Sequence, residues 1–99
     1  MWKVVPGYSR YRVNEEGDIH ELDSNGEWKS CKVYEKPTSV GTYLVCHTLD
    51  DNGKYKPRGV HQLVCLTFRG SPPADGRRYE VNHIDANKHN NKLDNLEVS

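Results

Sequence analysis

No apolar run in this chain approaches the roughly 20 residues that a membrane span needs, and the first ten residues, MWKVVPGYSR, hold no apolar stretch of the signal-peptide kind. The expectation is a cytoplasmic chain with no membrane partner. Cysteine is sparse and odd in number. Cys31, Cys46 and Cys65 sit among apolar residues with no C-x-x-C spacing, whereas a small secreted domain normally carries a denser, even set. They read as reduced, partly buried thiols. Net charge is also missing, because 14 Lys+Arg offset 14 Asp+Glu, so bulk charge singles out no polyanionic partner. A second domain is excluded by the length of 99 residues. Phenylalanine occurs once, but six tyrosines and two tryptophans supply enough aromatic volume for a modest core.

The neutral total hides a gradient. Residues 1–50 carry six basic and eight acidic groups, and residues 51–99 carry eight basic and six acidic. Lys54, Lys56 and Arg58 fall within five residues, and Arg69, Arg77 and Arg78 follow a predicted helix. These six are the candidate phosphate contacts, with a solvated mixed-charge surface as the plainer reading.

Along the chain, Trp2–Leu22 reads as two short strands around Pro6-Gly7, ending near Gly17. Asn25-Gly26 separates Ile19–Leu22 from Trp28–Val33, a hairpin signal in which both turn residues can take positive φ. Gly41–Leu49 has the composition of a strand, and Asp51-Asn52-Gly53 turns it toward Tyr55–Gly59. The period then changes. Val60, Leu63, Val64 and Phe68 recur at three- and four-residue steps, which predicts an amphipathic helix over 60–68 packed on the sheet. Ser71-Pro72-Pro73 ends it, and Tyr79–His83 reads as a strand. A polar loop, DANKHNNKLDN, leads to a last strand at Leu96-Glu97-Val98. The fold expected is α+β: N-terminal antiparallel hairpins, one central helix and a C-terminal two-stranded unit. Residues 1–59 form the β-rich module and 60–99 the second region of one compact domain.

Composition is most unusual in residues 82–95, where five Asn and two His fall in fourteen positions. Successive strand residues point to opposite sides, so Asn82 and His83 can serve a metal and a water separately. Asn95, opening the return strand, is placed to lie across from His83. A histidine held in one tautomer by a side-chain carbonyl is a suitable general base near neutral pH. A Cys/His zinc site can also be drawn from Cys46, His47, His61 and Cys65, but these cysteines coincide with the apolar pattern, and buried thiols explain them more simply. Tyr8, Tyr11, Trp28 and Tyr43 read as core and cross-strand residues, and His20 and His89 have no nameable partner.

Residues 81–97, VNHIDANKHNNKLDNLE, resemble the HNH endonuclease motif of phage and intron-encoded nucleases, in the subgroup with the pattern V-N/D-H-x-D-G-N-x-x-N-N-x-x-x-N-L. VHQLVCLTF resembles the helix upstream of that motif, and WKVVPGYSRYRVNEEGDIHEL the N-terminal module often fused to it. The resemblance implies a homing-type nuclease in which His83 is the general base, Asn82 a ligand of a divalent metal (Mg²⁺ or Mn²⁺, not zinc) and Asn95 the residue orienting His83. It implies DNA as substrate, cut or nicked by metal-assisted hydrolysis. Asn90 and Asn91 match loop asparagines that satisfy backbone groups.

The chain departs from the family at three places. Asn82 stands where active relatives often carry aspartate, and it is a poorer ligand for a hard cation. Ala86 stands where glycine is usual. The family continues past the N-L-E strand into a helix that supplies another metal ligand, whereas this sequence stops at Ser99; the expectation is either a truncated chain or a short natural version whose metal site is incomplete. Two functions stay open at this stage: a metal-dependent DNA endonuclease, and a non-catalytic descendant that binds DNA or a host defence protein.

Overall fold

Three turns are built by one five-residue device, in which an Asn or Asp side chain replaces the missing backbone partners. Asn14 Oδ1 accepts from the N–H groups of Glu16 and Asp18, Asp23 Oδ1 from Asn25 and Glu27, and Asp50 Oδ1 from Asn52 and Lys54. The fourth residue of each turn is a glycine at positive φ: Gly17 (87°), Gly26 (79°) and Gly53 (84°). Asn25 is not at positive φ, so the 23–27 hairpin is an Asp-anchored loop and not the two-residue turn expected from Asn25-Gly26.

The computed structural model describes residues 1–70 and 80–98. Among the described residues nine strands form three antiparallel sheets, and each of the three turns closes one hairpin within the first two. The first contains β1 (Lys3–Val5), β2 (Tyr8–Val13), β3 (Ile19–Leu22) and β4 (Trp28–Ser30) in chain order. The second contains β5 (Tyr34–Thr38), β6 (Gly41–Leu49) and β7 (Tyr55–Gly59), with β6 central. The third pairs β8 (Val81–His83) with β9 (Leu96–Val98), placing Asn82 opposite Glu97 and His83 opposite Leu96. Strand β5 was not anticipated. Its sequence, YEKPT, is exposed throughout and has none of the apolar alternation of a half-buried strand; Pro37 is tolerated because β5 is an edge.

The one α-helix among the described residues, α1 (Val60–Arg69), follows the period switch at Gly59 and packs against strands of all three sheets. Val60, Leu63, Val64 and Cys65 enter the core with Val5, Tyr11, Val13, Ile19, Cys46 and Leu96. Burying these side chains stabilises the fold by about 1.5–3 kcal/mol for each large aliphatic one. Polar bonds then fix the first two sheets to each other. The Tyr11 hydroxyl accepts from Leu49 N–H at 3.0 Å and donates to Glu21 at 3.2 Å, and its pKa is pushed up to about 12 by burial. Asp51 Oδ1 accepts from both the N–H and the hydroxyl of Ser9, which holds its carboxyl below the usual range. The α+β class, the helix and the terminal two-stranded unit are as expected. The expected helix stop at 71–73, Tyr79 of the expected Tyr79–His83 strand, and Arg77 and Arg78 lie outside the described residues; Glu80 is described and stands before β8, which begins at Val81.

Candidate functional site

Residues 84–95 fold into a loop organised by Asp85. Its carboxylate accepts from the Asn87 N–H and from the Asn90 and Asn95 amides, and these bonds, Asn90's foremost, hold its pKa below the usual value. Asn95 answers both ends of the loop: Oδ1 accepts from Asp85 N–H at 3.1 Å, Nδ2 reaches the Asn90 carbonyl at 2.9 Å, and its own carbonyl accepts from Ile84 N–H. Ala86 takes a φ of 64°, the left-handed conformation for which glycine is the usual residue.

The partner of His83 is Asn91 and not Asn95. Nε2 of His83 lies 2.8 Å from Asn91 Oδ1, and Asn91 is buried. With Oδ1 as acceptor, Nε2 carries the hydrogen and Nδ1 keeps its lone pair. Asn95 could not be at both places, because the β8–β9 turn consumes its polar atoms and leaves it to set the backbone next to His83. Asn91 is itself seated by the first sheet. A Cβ on Gly17 would come within 2.6 Å of the Asn91 carbonyl oxygen, and Glu15's carbonyl accepts from Leu93 N–H at 2.7 Å. The N-terminal module is therefore part of the site's support.

His83 also contacts a residue outside the motif. The His61 ring, on the first turn of α1, lies 5.0 Å from the His83 ring and stacks on Tyr43 at 5.0 Å. His61 is buried, its Nδ1 has no hydrogen-bond partner, and burial first and the neighbouring His83 second lower its pKa to about 4. Gly59 admits this ring, since a Cβ there would stand 2.5 Å from His61 Cε1. Asn91 and His61 are the two site residues that sequence reasoning assigned elsewhere. Asn91 was matched to a loop asparagine that satisfies backbone groups, and His61 was drawn only into the Cys/His zinc alternative with Cys46, His47 and Cys65.

His61, Tyr43 and Asn82 line one open cleft of about 740 Å³, together with Tyr8, Lys36 and Arg58. Asn82 is exposed to it. Arg58 spends its Nε on the Tyr8 hydroxyl (3.0 Å), and Arg69 gives Nη2 to the Leu93 carbonyl (3.1 Å). Lys54 and Lys56 are exposed at and next to β7. The four described basic candidates therefore split into two that tie the structure together and two that face solvent. Among the described residues no group of three or more His, Cys, Asp or Glu could hold a metal. Asn82, the oxygen donor expected from the sequence, lies at the cleft with no such cluster of described residues around it.

A family model for HNH endonucleases matches residues 58–99. Over 97 residues the chain is 30% identical to the H-N-H endonuclease F-TflII of Escherichia phage T5, covering 98% of this chain and 46% of that protein. It is 25% identical over 99 residues to an uncharacterised HNH endonuclease of Acanthamoeba polyphaga mimivirus, covering 98% of this chain and 23% of that one. The fold is similar to a solved structure described as "DNA binding and cleavage by the HNH homing endonuclease I-HmuI", with a TM-score of 0.70 and 29% identity over 100% of this chain and 52% of that one. The chain spans about half or less of the length of each of these relatives.

Proposed function

We propose, from the premise that residues 58–99 belong to the HNH endonuclease family, that this chain hydrolyses DNA phosphodiester bonds in a metal-dependent way. The observation that carries the reading is His83, held at Nε2 by Asn91 and set against two walls of the cleft onto which Asn82 opens. In that arrangement Nδ1 takes the proton of an attacking water. Asn91 holds the reactive tautomer and stabilises the imidazolium that forms, since its carbonyl oxygen accepts from Nε2 throughout. His61, kept neutral by burial, places no positive charge beside that base. Asn82 would hold the divalent cation, Mg²⁺ or Mn²⁺, which when bound supplies charge stabilisation to the phosphate. Lys54 and Lys56 contact backbone phosphates without reading bases. DNA is the partner also because the I-HmuI structure is described by DNA binding and cleavage. The place of action we propose is the interior of a host cell, supported by the similarity to a protein of phage T5.

The test is nicking of supercoiled plasmid across a Mn²⁺ and Mg²⁺ series. The expected result is slow nicking that rises into the millimolar range and shifts to lower metal concentration in Asn82→Asp, which adds a charged oxygen with little change of size. If neither protein cuts at high Mn²⁺ while both retain DNA, the fold serves as a binding module; if neither retains DNA, the host-protein reading takes its place.

A further inference from the structure

Two of the three thiols, which the sequence left indistinguishable, meet in the fold. Cys46 is fully buried on β6, in the second sheet. Cys31 follows β4 and is pinned to the first sheet by its N–H, which donates to the Ile19 carbonyl at 3.0 Å. Their sulfurs stand 2.6 Å apart, a few tenths of an ångström outside a bonded S–S distance of about 2.05 Å. Cys65 is buried on α1, in the helix core pattern. From this geometry we propose that Cys31 and Cys46 are a modification site, oxidised to an intramolecular disulfide by small-molecule disulfides of the glutathione class.

The two sulfurs have distinct roles. Cys31 is half-buried and lines a second open cleft with His20, Val33 and Leu44, through which a small disulfide approaches. The two thiols share one contact in which either can donate; it lowers the pKa of Cys31, the more accessible of the pair, while that contact and burial raise the Cys46 pKa. Cys31 is therefore the attacking thiolate. It displaces one thiolate from the small disulfide and forms a mixed disulfide. Cys46 then loses its proton to that departing thiolate, attacks the Cys31 sulfur and releases the second small thiol. Two protein thiols are oxidised, one disulfide is reduced to two thiols, and no other reductant or oxidant takes part. The product bond ties the two sheets across 15 residues of chain.

The experiment treats the full chain in its native state with oxidised glutathione, traps free thiols by alkylation and maps the peptides by mass. The result expected is a Cys31–Cys46 crosslink in a monomer, with Cys65 alkylated, complete reversal by dithiothreitol, and a Tm about 10 °C above that of the reduced protein. Cys31→Ser and Cys46→Ser each abolish the oxidised-minus-reduced Tm difference, a comparison made within each variant and so independent of its own stability. A glutathione adduct that persists on Cys31 with Cys46 alkylated, a covalent dimer, or three alkylated thiols after prolonged oxidation would each overturn the proposal.

Discussion

His61→Phe should remove most of the acid sensitivity of this fold between pH 7.5 and 4.5. The imidazole is 8% exposed, its Nδ1 is unpartnered, and its pKa falls to about 4 from an ordinary 6.5. In the unfolded chain the ring protonates as pH drops through 6.5; in the folded chain it does so only near 4. The unfolded state therefore binds more protons throughout that window, and stability, complete above about pH 7, is lost as pH falls toward 4. A separation of about 2.5 pKa units gives a loss of about 2.5 kcal/mol by pH 4.5, a large share of the ~5–15 kcal/mol typical of a domain. Phenylalanine keeps a ring against Tyr43 and cannot titrate. Urea denaturation at several pH values, with the wild type and the variant compared at each, isolates the histidine from the carboxylates Asp23, Asp51 and Asp85, which both proteins share and whose pKa values lie below the ordinary carboxylate range. The reasoning is refuted if the two proteins lose the same stability between pH 7.5 and 4.5.

Asn91→Ala should lower the nicking rate, up to the ~10²–10⁴-fold that a general base contributes, with metal dependence unchanged; a parallel metal titration checks the second half. Gly17→Ala forces a side chain onto the Asn91 carbonyl at a φ of +87°, and urea unfolding should show a loss of about 2 kcal/mol or more. Replacing Lys54 and Lys56 together by Gln should weaken DNA retention equally on unrelated sequences. It should also reduce the slope of log affinity against log salt by about two, measured by fluorescence anisotropy.

Several elements were legible: β6 from its strand composition, β7 from the turn at Asp51-Asn52-Gly53, α1 from the apolar period of VHQLVCLTF, and the β8–β9 pair from the short segments on either side of the polar loop. Strand β5 was not, because all five of its side chains are exposed with no apolar alternation, and it is held on β6 by the backbone ladder with help from Thr38 Oγ1 and the Tyr34 ring. The 14–18, 23–27 and 50–54 turns share the pattern of Asn or Asp three residues before glycine, so the signal was present; Asn25-Gly26 on its own matches a two-residue turn, and the anchor is the Asp23 side chain two residues earlier. In the site, the Asn82-His83 pair and the polar loop were visible as a local excess of asparagine. Which asparagine reaches the imidazole depends on how residues 84–95 close on Asp85, and that is decided by tertiary contacts of Asn91 with Gly17. His61 was concealed for the same reason. Its nearness to His83 comes from packing α1 beside β8, and local sequence carries no trace of it.

The claim at the centre of this account is that His83 is the base of a DNA-cleaving site. It is tested most directly by comparing wild type with His83→Ala in plasmid nicking at saturating Mn²⁺, at equal DNA retention. The account predicts nicking by the wild type and a loss of about 10²-fold or more in the variant. Equal nicking by both proteins would contradict it.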